Sequence, residues 1–173
     1  MIFGETLIDL DAIRASDLGA MFLWRNDPLI WQWCRQESLI SWESHINWFN
    51  GLVKRDDVRM FAIRRKGDKQ LLGVCGLTDI NKTHQRAEFS CYVGPEHHRK
   101  GYATAALETL FTHGFTALNL HMIWGETFFE NPAGDCFDRI GMHFDGLRRD
   151  HYFKNGKFLN AKLYSVRRDE WLQ

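Results

Sequence analysis

The segment CYVGPEHHRKGYATAALETL, residues 91–110, constrains the fold of this chain more than any other stretch. An apolar, strand-like run ends at Val93, Gly94-Pro95 interrupts it, and a helical period resumes from Lys100, with Ala103, Leu107, Leu110 and Phe111 on one side. A strand must therefore pass into a helix through a short polar loop. At such a helix start the backbone N–H groups of His98, Arg99, Lys100, Gly101, Tyr102 and Ala103 have no intrahelical acceptor and lie at the positive end of the helix dipole. Gly101 lets an anion approach the backbone, Ala103 keeps the next turn small, and Arg99 and Lys100 add positive charge, a combination that favours a pyrophosphate. Any helix start exposes the same amides, so on these residues alone an ordinary helix terminus stays open beside phosphate binding.

The flanking sequence supplies the other elements. Alternation from Thr6 to Ile13 predicts a strand, and Ser16 before DLGAMFLWR predicts an N-cap and a short helix. A second helical stretch follows Pro28. Ser41 then caps a helix whose Trp42, Ile46, Phe49 and Val53 share a face. RMFAIRRK and QLLGVCGLTDI form the arms of a hairpin around Gly67-Asp68, and AEFSCYV is a third strand in succession. HMIWGETFF follows the central helix as a strand. A short helix past Pro132 leads to two final strands joined by Asn155-Gly156, a pair that accepts the positive φ angles of a type I′ turn. The order of principal elements reads β, α, α, β, β, β, α, β, α, β, β.

Composition narrows the function. A chain of 173 residues, 45% hydrophobic and 14% aromatic, is expected to form one domain, residues 1–173, with a single core. The 22 basic residues are balanced by 22 acidic ones, which disfavours a phosphate-tracking nucleic-acid binder. MIFGETLIDLDAIR lacks the basic start and long apolar centre of a signal peptide, and no run approaches the ~20 apolar residues that span a bilayer. A soluble cytoplasmic protein is expected, with no membrane and no nucleic acid among its partners and a homodimer as one assembly. Cys34, Cys75, Cys91 and Cys136 form no CxxC pair and are expected as reduced, buried thiols. The adjacent His97 and His98 lack a nearby third ligand, so no metal is expected and they are read as flanking the phosphate.

With these residues in view, His98-Arg99-Lys100-Gly101-Tyr102-Ala103 resembles the coenzyme A pyrophosphate loop of GNAT acetyltransferases, with His98 where Gln or Arg is usual. INKTHQRAEFSCYVGPEHHRKGYA, FTALNLHMIWGETFFENPAG and HYFKNGKFLNAKLYSV are similar to the branch with ribosomal-protein-alanine and spermidine acetyltransferases, and WRNDPLIWQWC with ISWESHINWF to amino-sugar acetyltransferases. The resemblance implies an α/β (α+β) GNAT fold: a single mixed, mostly antiparallel, splayed seven-stranded sheet flanked by about four helices. It implies acetyl-CoA as co-substrate and an N-acetyltransferase acting on the amine of an amino sugar, a polyamine-like molecule or a protein N-terminus. Loop amides through Thr104 would hold the pyrophosphate, and Cys91, Tyr92 and Val93 would lend backbone groups to the pantetheine arm. A backbone N–H near Val93 would polarise the thioester, a device worth roughly 3 to 4 kcal/mol in other enzymes.

Glu88 and Glu126 are the candidate catalytic bases, because carboxylates near the acceptor take a proton and attract a cation. Either could instead pair with an arginine or lie in solvent. Asn131 is a candidate contact for the pantetheine amides. Phe137 falls where the family places a tyrosine acid and cannot donate a proton; Tyr92, Tyr152 and His143 are the substitutes considered. A non-catalytic acyl-CoA-binding module is the competing reading. In Arg25-Asn26-Asp27, Arg25 and Asn26 could orient the acceptor, or the triplet could be a helix terminus with Asp27 as a cap. Trp24, Trp31, Trp33, Trp42 and Trp48 read as core or as a stacking surface, and Arg64, Arg65 and Lys66 as a solvated hairpin end.

Overall fold

In the computed structural model, which describes residues 7–173, the chain forms one seven-stranded sheet with helices on both faces. Thr6, at the head of the expected first strand, lies outside the described residues. The strand itself, β1, spans Ile8–Asp11. Helices α1 (Leu18–Asn26), α2 (Pro28–Trp31) and α3 (Trp42–Leu52) follow, then β2 (Arg59–Arg65), β3 (Leu71–Asn81) and β4 (Arg86–Val93). After α4 (Tyr102–Thr116) come β5 (Met122–Phe128), α5 (Ala133–Arg139), β6 (His143–Lys154), β7 (Lys157–Arg167) and α6 (Arg168–Trp171). The seven strands stand where the sequence predicts them, and α6, a single turn, has no counterpart in that reading.

The sheet runs β1-β2-β3-β4-β5-β7-β6, and only β4 and β5 are parallel. A parallel pair needs a crossover, and α4 supplies it. Leu107, Leu110 and Phe111 of α4 pack with Leu77, Phe89 and Ile123 of the sheet in the main core. On the opposite face Met21 of α1 and Trp48 and Phe49 of α3 cover Val74. At the tip of the last hairpin Asn155 and Gly156 both have positive φ, 51° and 76°, as a type I′ turn requires.

Local expectations are corrected at three places. Ser16 does not cap α1; it lies in a 3-10 turn, Ala15–Asp17, and Asp17 takes the N-cap position while its carboxylate accepts from the Arg14 N–H at 2.7 Å. Arg64 is not solvated: it is 4% exposed, because a register shift between Ile63 and Arg64 turns it inward onto buried Asp17 at 2.7 Å. Ser41 does cap α3, accepting from the Ser44 N–H at 3.1 Å, yet Trp42 and Val53 remain exposed. The packed face of α3 runs instead through His45, Ile46, Trp48 and Phe49.

Candidate active site

The central strands part in a defined way. β4 and β5 pair through Arg86↔Met122, Ala87↔Ile123 and Glu88↔Trp124, and no further. Beyond that point each keeps its outer partner, β4 on β3 as far as Val93↔Gly73 and β5 on β7 as far as Phe128↔Ala161. The ring of Phe89 lies over Gly125, where an added Cβ would come within 2.3 Å of it, so an aromatic ring stands in the opening between the strands. The backbone edge of β4 through Cys91, Tyr92 and Val93 thus faces an opening rather than a neighbouring strand.

At its end β4 enters the polar loop. Pro95–His97 form a 3-10 turn, His98 is extended, Arg99 has φ 60° and Gly101 has φ 79° as the N-cap of α4. The first helical bond runs from the Ala105 N–H to the Gly101 carbonyl at 3.1 Å, so the amides of Tyr102, Ala103 and Thr104 precede it without an intrahelical acceptor. The N-cap residue, Gly101, has no side chain with which to cap them. This is an amide cradle at a helix N-terminus, with the chemistry to hold a phosphate.

The loop's side chains are used differently from the sequence expectation. The two histidines do not flank the cradle as a pair: His97 is buried with its ring edge-on to Trp24 and Tyr102. A ring nitrogen of His98 turns back to the Val93 carbonyl at 2.8 Å, and Lys100 donates to the Glu96 carbonyl at 2.9 Å. Arg99 remains exposed beside the amides. The Thr104 hydroxyl meets the Cys136 thiol at 3.3 Å, tying the first turn of α4 to α5.

Below the cradle a cavity of about 240 Å³ opens between the parting strands, the loop after α2 and β6. Asn131 and Phe137 both line it. The side-chain oxygen of Asn131 accepts from the Ala133 N–H at 3.0 Å, just ahead of the first turn of α5. Phe137 packs edge-on against Phe89 and Tyr164 and forms an apolar wall. Burial drives the Cys91 thiol up to about 12, so it stays protonated at neutral pH. All four cysteines are free, and of them Cys75 is fully buried while Cys34, Cys91 and Cys136 are half-buried.

Glu88 and Glu126 face one another across this cavity, with side chains 12% and 3% exposed. Two carboxylates so buried require cationic partners, and Arg35 serves both, donating to Glu88 at 2.6 Å and to Glu126 at 3.2 Å. Arg148 donates to Glu126 at 3.0 Å, and the Tyr152 hydroxyl donates to the same carboxylate. Burial raises the pKa of Glu88 above the usual carboxylate range, with Arg35 opposing and Glu126 adding to the rise. Partial burial works against the charge of Arg35, yet Glu88, Tyr152 and Glu126 together hold its pKa above the ordinary value.

The loop that carries Arg35 is fixed from two sides. Lys154, buried on β6, donates to the carbonyls of Trp31 at 2.7 Å, Cys34 at 2.5 Å and Gln36 at 3.1 Å, and lies 4.1 Å from the Trp31 ring centroid. Asn26 does not line the cavity; its amide donates to the Ile40 carbonyl at 2.9 Å and accepts from the Ile40 N–H at 2.8 Å, clamping the loop's far end. Asp27 caps α2 through the Leu29 N–H at 2.8 Å. Of that triplet only Arg25 lines the cavity, over the Tyr92 ring at 5.6 Å. His143 is exposed, paired with Asp145 at 2.9 Å, and outside the cavity lining, which removes it as a proton donor.

Arg35, Arg148 and Lys154 are site residues that the sequence does not single out. Arg35 stands in a polar stretch between helices, and Lys154 beside a turn reads as solvent-exposed. Among the described residues no group of three His, Cys, Asp or Glu side chains is placed to hold a metal ion, and no helix is long and apolar enough to cross a membrane.

Comparison with known proteins is consistent with this geometry. The family profile described as an acetyltransferase (GNAT) domain matches residues 8–143. The spermidine N(1)-acetyltransferase of Vibrio cholerae is 27% identical over 166 residues, 95% of each chain. That of Escherichia coli (strain K12) is 32% identical over 115 residues, 66% of this chain and 61% of the relative. A crystal structure of the Vibrio cholerae spermidine N-acetyltransferase in complex with CoA and spermine matches with a TM-score of 0.92 at 26% identity, covering 98% of this chain and 100% of that one.

Proposed function

This chain belongs to the GNAT acetyltransferase family, and from that footing we propose how its cleft moves an acetyl group from acetyl-CoA to the amine of a small molecule. The protein is an N-acetyltransferase; the roles of its residues and the size of its acceptor are our reading of the cleft. The carrying observation is the continuous path from the free amides of Tyr102, Ala103 and Thr104, along the unpaired edge of β4, to a cavity containing two carboxylates. We take residues 1–173 as a single catalytic domain.

In this reading the pyrophosphate of acetyl-CoA rests on the amides of residues 101–104 with Arg99 beside it, and the Lys100 and His98 side chains shape the loop. Cys91, Tyr92 and Val93 offer backbone groups to the pantetheine arm, and the free amide of Asn131 meets it from the other side. A β4 N–H near Val93 polarises the thioester carbonyl. The amine nitrogen attacks the carbonyl carbon, the C–S bond breaks, and Glu88 receives the proton shed by nitrogen. Its raised pKa makes it a stronger base than an ordinary carboxylate. Glu126 holds the amine opposite it.

Phe137 lines the cavity without a proton to give, so Tyr152, whose hydroxyl lies at the Glu126 end of the same cavity, protonates the departing thiolate. The pinned loop around Arg35 supports a small acceptor rather than a peptide terminus, because it is a fixed wall of a cavity of only about 240 Å³. Spermidine is the acceptor named for the relatives above and is the first to test.

The test is release of the CoA thiol on incubation with acetyl-CoA and a panel containing spermidine, an amino sugar and an alanyl peptide. Turnover of a small amine, with Glu88→Gln slower by about a hundredfold or more, is expected. Tight CoA binding in calorimetry without turnover of any amine would instead favour a binding module.

A further inference from the structure

Among the described residues Arg25 is a guanidinium of the cleft without a counter-ion. Arg35 is matched by Glu88 and Glu126, and Arg55 by Asp57 at 2.7 Å. Among the described residues no carboxylate lies within 4.0 Å of Arg25; its side-chain partner is the neutral Gln36 amide oxygen, and its Nε is sealed from solvent with no acceptor at all. A buried donor left unsatisfied is costly, and an unpaired charge more so, which makes this an arrangement waiting for an acceptor. Its field reaches its neighbours. Burial lowers the pKa values of His45 and Lys154, and the charge of Arg25 lowers both further.

Arg25 also stands where two cavities meet. Beyond the one holding Glu88 and Glu126, a second of about 260 Å³ lies between α3 and the sheet, with an apolar floor of Trp48, Met60 and Val74 and polar groups from His45, Thr78 and Ser90. Arg25, Ser90 and Tyr92 line both. A molecule with its amine between the two carboxylates therefore has Arg25 at its flank and an amphipathic chamber for its body. A polyamine offers Arg25 nothing but like charge.

We infer that the acceptor is an amine that also bears an anionic group, a phosphate or carboxylate, held by Arg25 where the two cavities join. This rests on the reading that the amine is acetylated beside Glu88. Spermidine, which carries no anionic group, is then a poor acceptor here.

The experiment uses protein saturated with CoA, so that the amide cradle is already filled. Glucosamine 6-phosphate, glucosamine, glutamate and spermidine are titrated by calorimetry, and inorganic phosphate is titrated while the His45 ring signals are followed by NMR. Binding of glucosamine 6-phosphate or glutamate at least tenfold tighter than glucosamine and spermidine is expected, and which of the two leads distinguishes phosphate from carboxylate. Phosphate should raise the His45 pKa. Arg25→Gln should shrink the preference below threefold and abolish the His45 response, with Arg25→Lys intermediate; if the glutamine variant does not fold, the lysine variant alone must weaken anion binding by about threefold or more. Spermidine binding most tightly, or a phosphate response that survives loss of Arg25, overturns the inference. Arg25-dependent anion binding with no acetyl transfer to any amine would leave the anion site standing and defeat the transferase reading separately.

Discussion

Arg35 donates to Glu88 at 2.6 Å, joining a loop and a strand 53 residues apart at the point where β4 and β5 separate. The pair sets the proton affinity of the carboxylate assigned as base. Burial raises the Glu88 pKa, Arg35 restrains it by charge and hydrogen bond, and Glu126 raises it again. Arg35→Met keeps much of the bulk and deletes the restraint, so the Glu88 pKa rises further. Because the base must be unprotonated, the acid limb of the kcat/KM profile should move to higher pH. An unmoved limb would remove Glu88 from the role.

Asn26→Ala deletes both hydrogen bonds to the Ile40 backbone. At about 1 kcal/mol each, the expected loss is about 2 kcal/mol of stability, or roughly 4 to 8 °C in Tm for a chain of this size. Since Asn26 anchors the loop and not the cradle, KM for the amine should rise while CoA affinity in calorimetry stays within about twofold. A matching loss of CoA affinity would show that the clamp acts through the whole sheet.

Gly125→Ala places a methyl group 2.3 Å from the ring of Phe89, which is itself held edge-on by Phe111 and Phe137. Moving the ring toward the cavity it lines breaks those edge-on contacts, so overpacking should cost about 1 to 3 kcal/mol and distort the opening between β4 and β5. Thermal unfolding and CoA binding should both weaken. A variant with unchanged CoA affinity would mean that the splay does not depend on this contact.

His45 couples the fold to pH. Its ring nitrogen meets the Leu18 carbonyl at 3.1 Å, and burial, with a contribution from Arg25, holds its pKa below the ordinary 6.5 even though the carbonyl opposes the shift. The unfolded chain therefore binds this proton more readily than the folded one. The stability linked to neutral His45 is fully present above 6.5 and is lost as pH falls through the lowered value. Thermal unfolding followed from about pH 7.5 down to about pH 5 should show a smaller decline for His45→Gln than for the parent protein. Parallel curves would rule the residue out as the source.

Much of this architecture is written in local patterns. Asn155-Gly156 announces its hairpin because only residues tolerant of positive φ fit a two-residue turn, and Ser41 announces α3 because a hydroxyl satisfies an orphan amide. The cradle at residues 98–104 is legible for the same reason: a helix start exposes its amides whatever the rest of the chain does. Sidedness is less legible. Trp42 and Val53 have the period of a buried face and remain exposed, since period locates a stripe without saying which neighbour covers it, and a one-residue register shift buried Arg64.

The sequence by itself determined the strand-loop-helix cradle, the order of the strands along the chain and the two carboxylates on the central strands, each a matter of residues near one another in sequence. Only the tertiary structure decided what those carboxylates face. Arg35, Arg148 and Tyr152 reach Glu126 from 91, 22 and 26 positions away, and Lys154 reaches the loop carbonyls of Trp31 and Cys34 from 123 and 120. Such partners are fixed by how strands splay and loops fold back over the sheet, and the charge balance of the cleft, with Arg25 left unanswered among the described residues, exists only once they have done so.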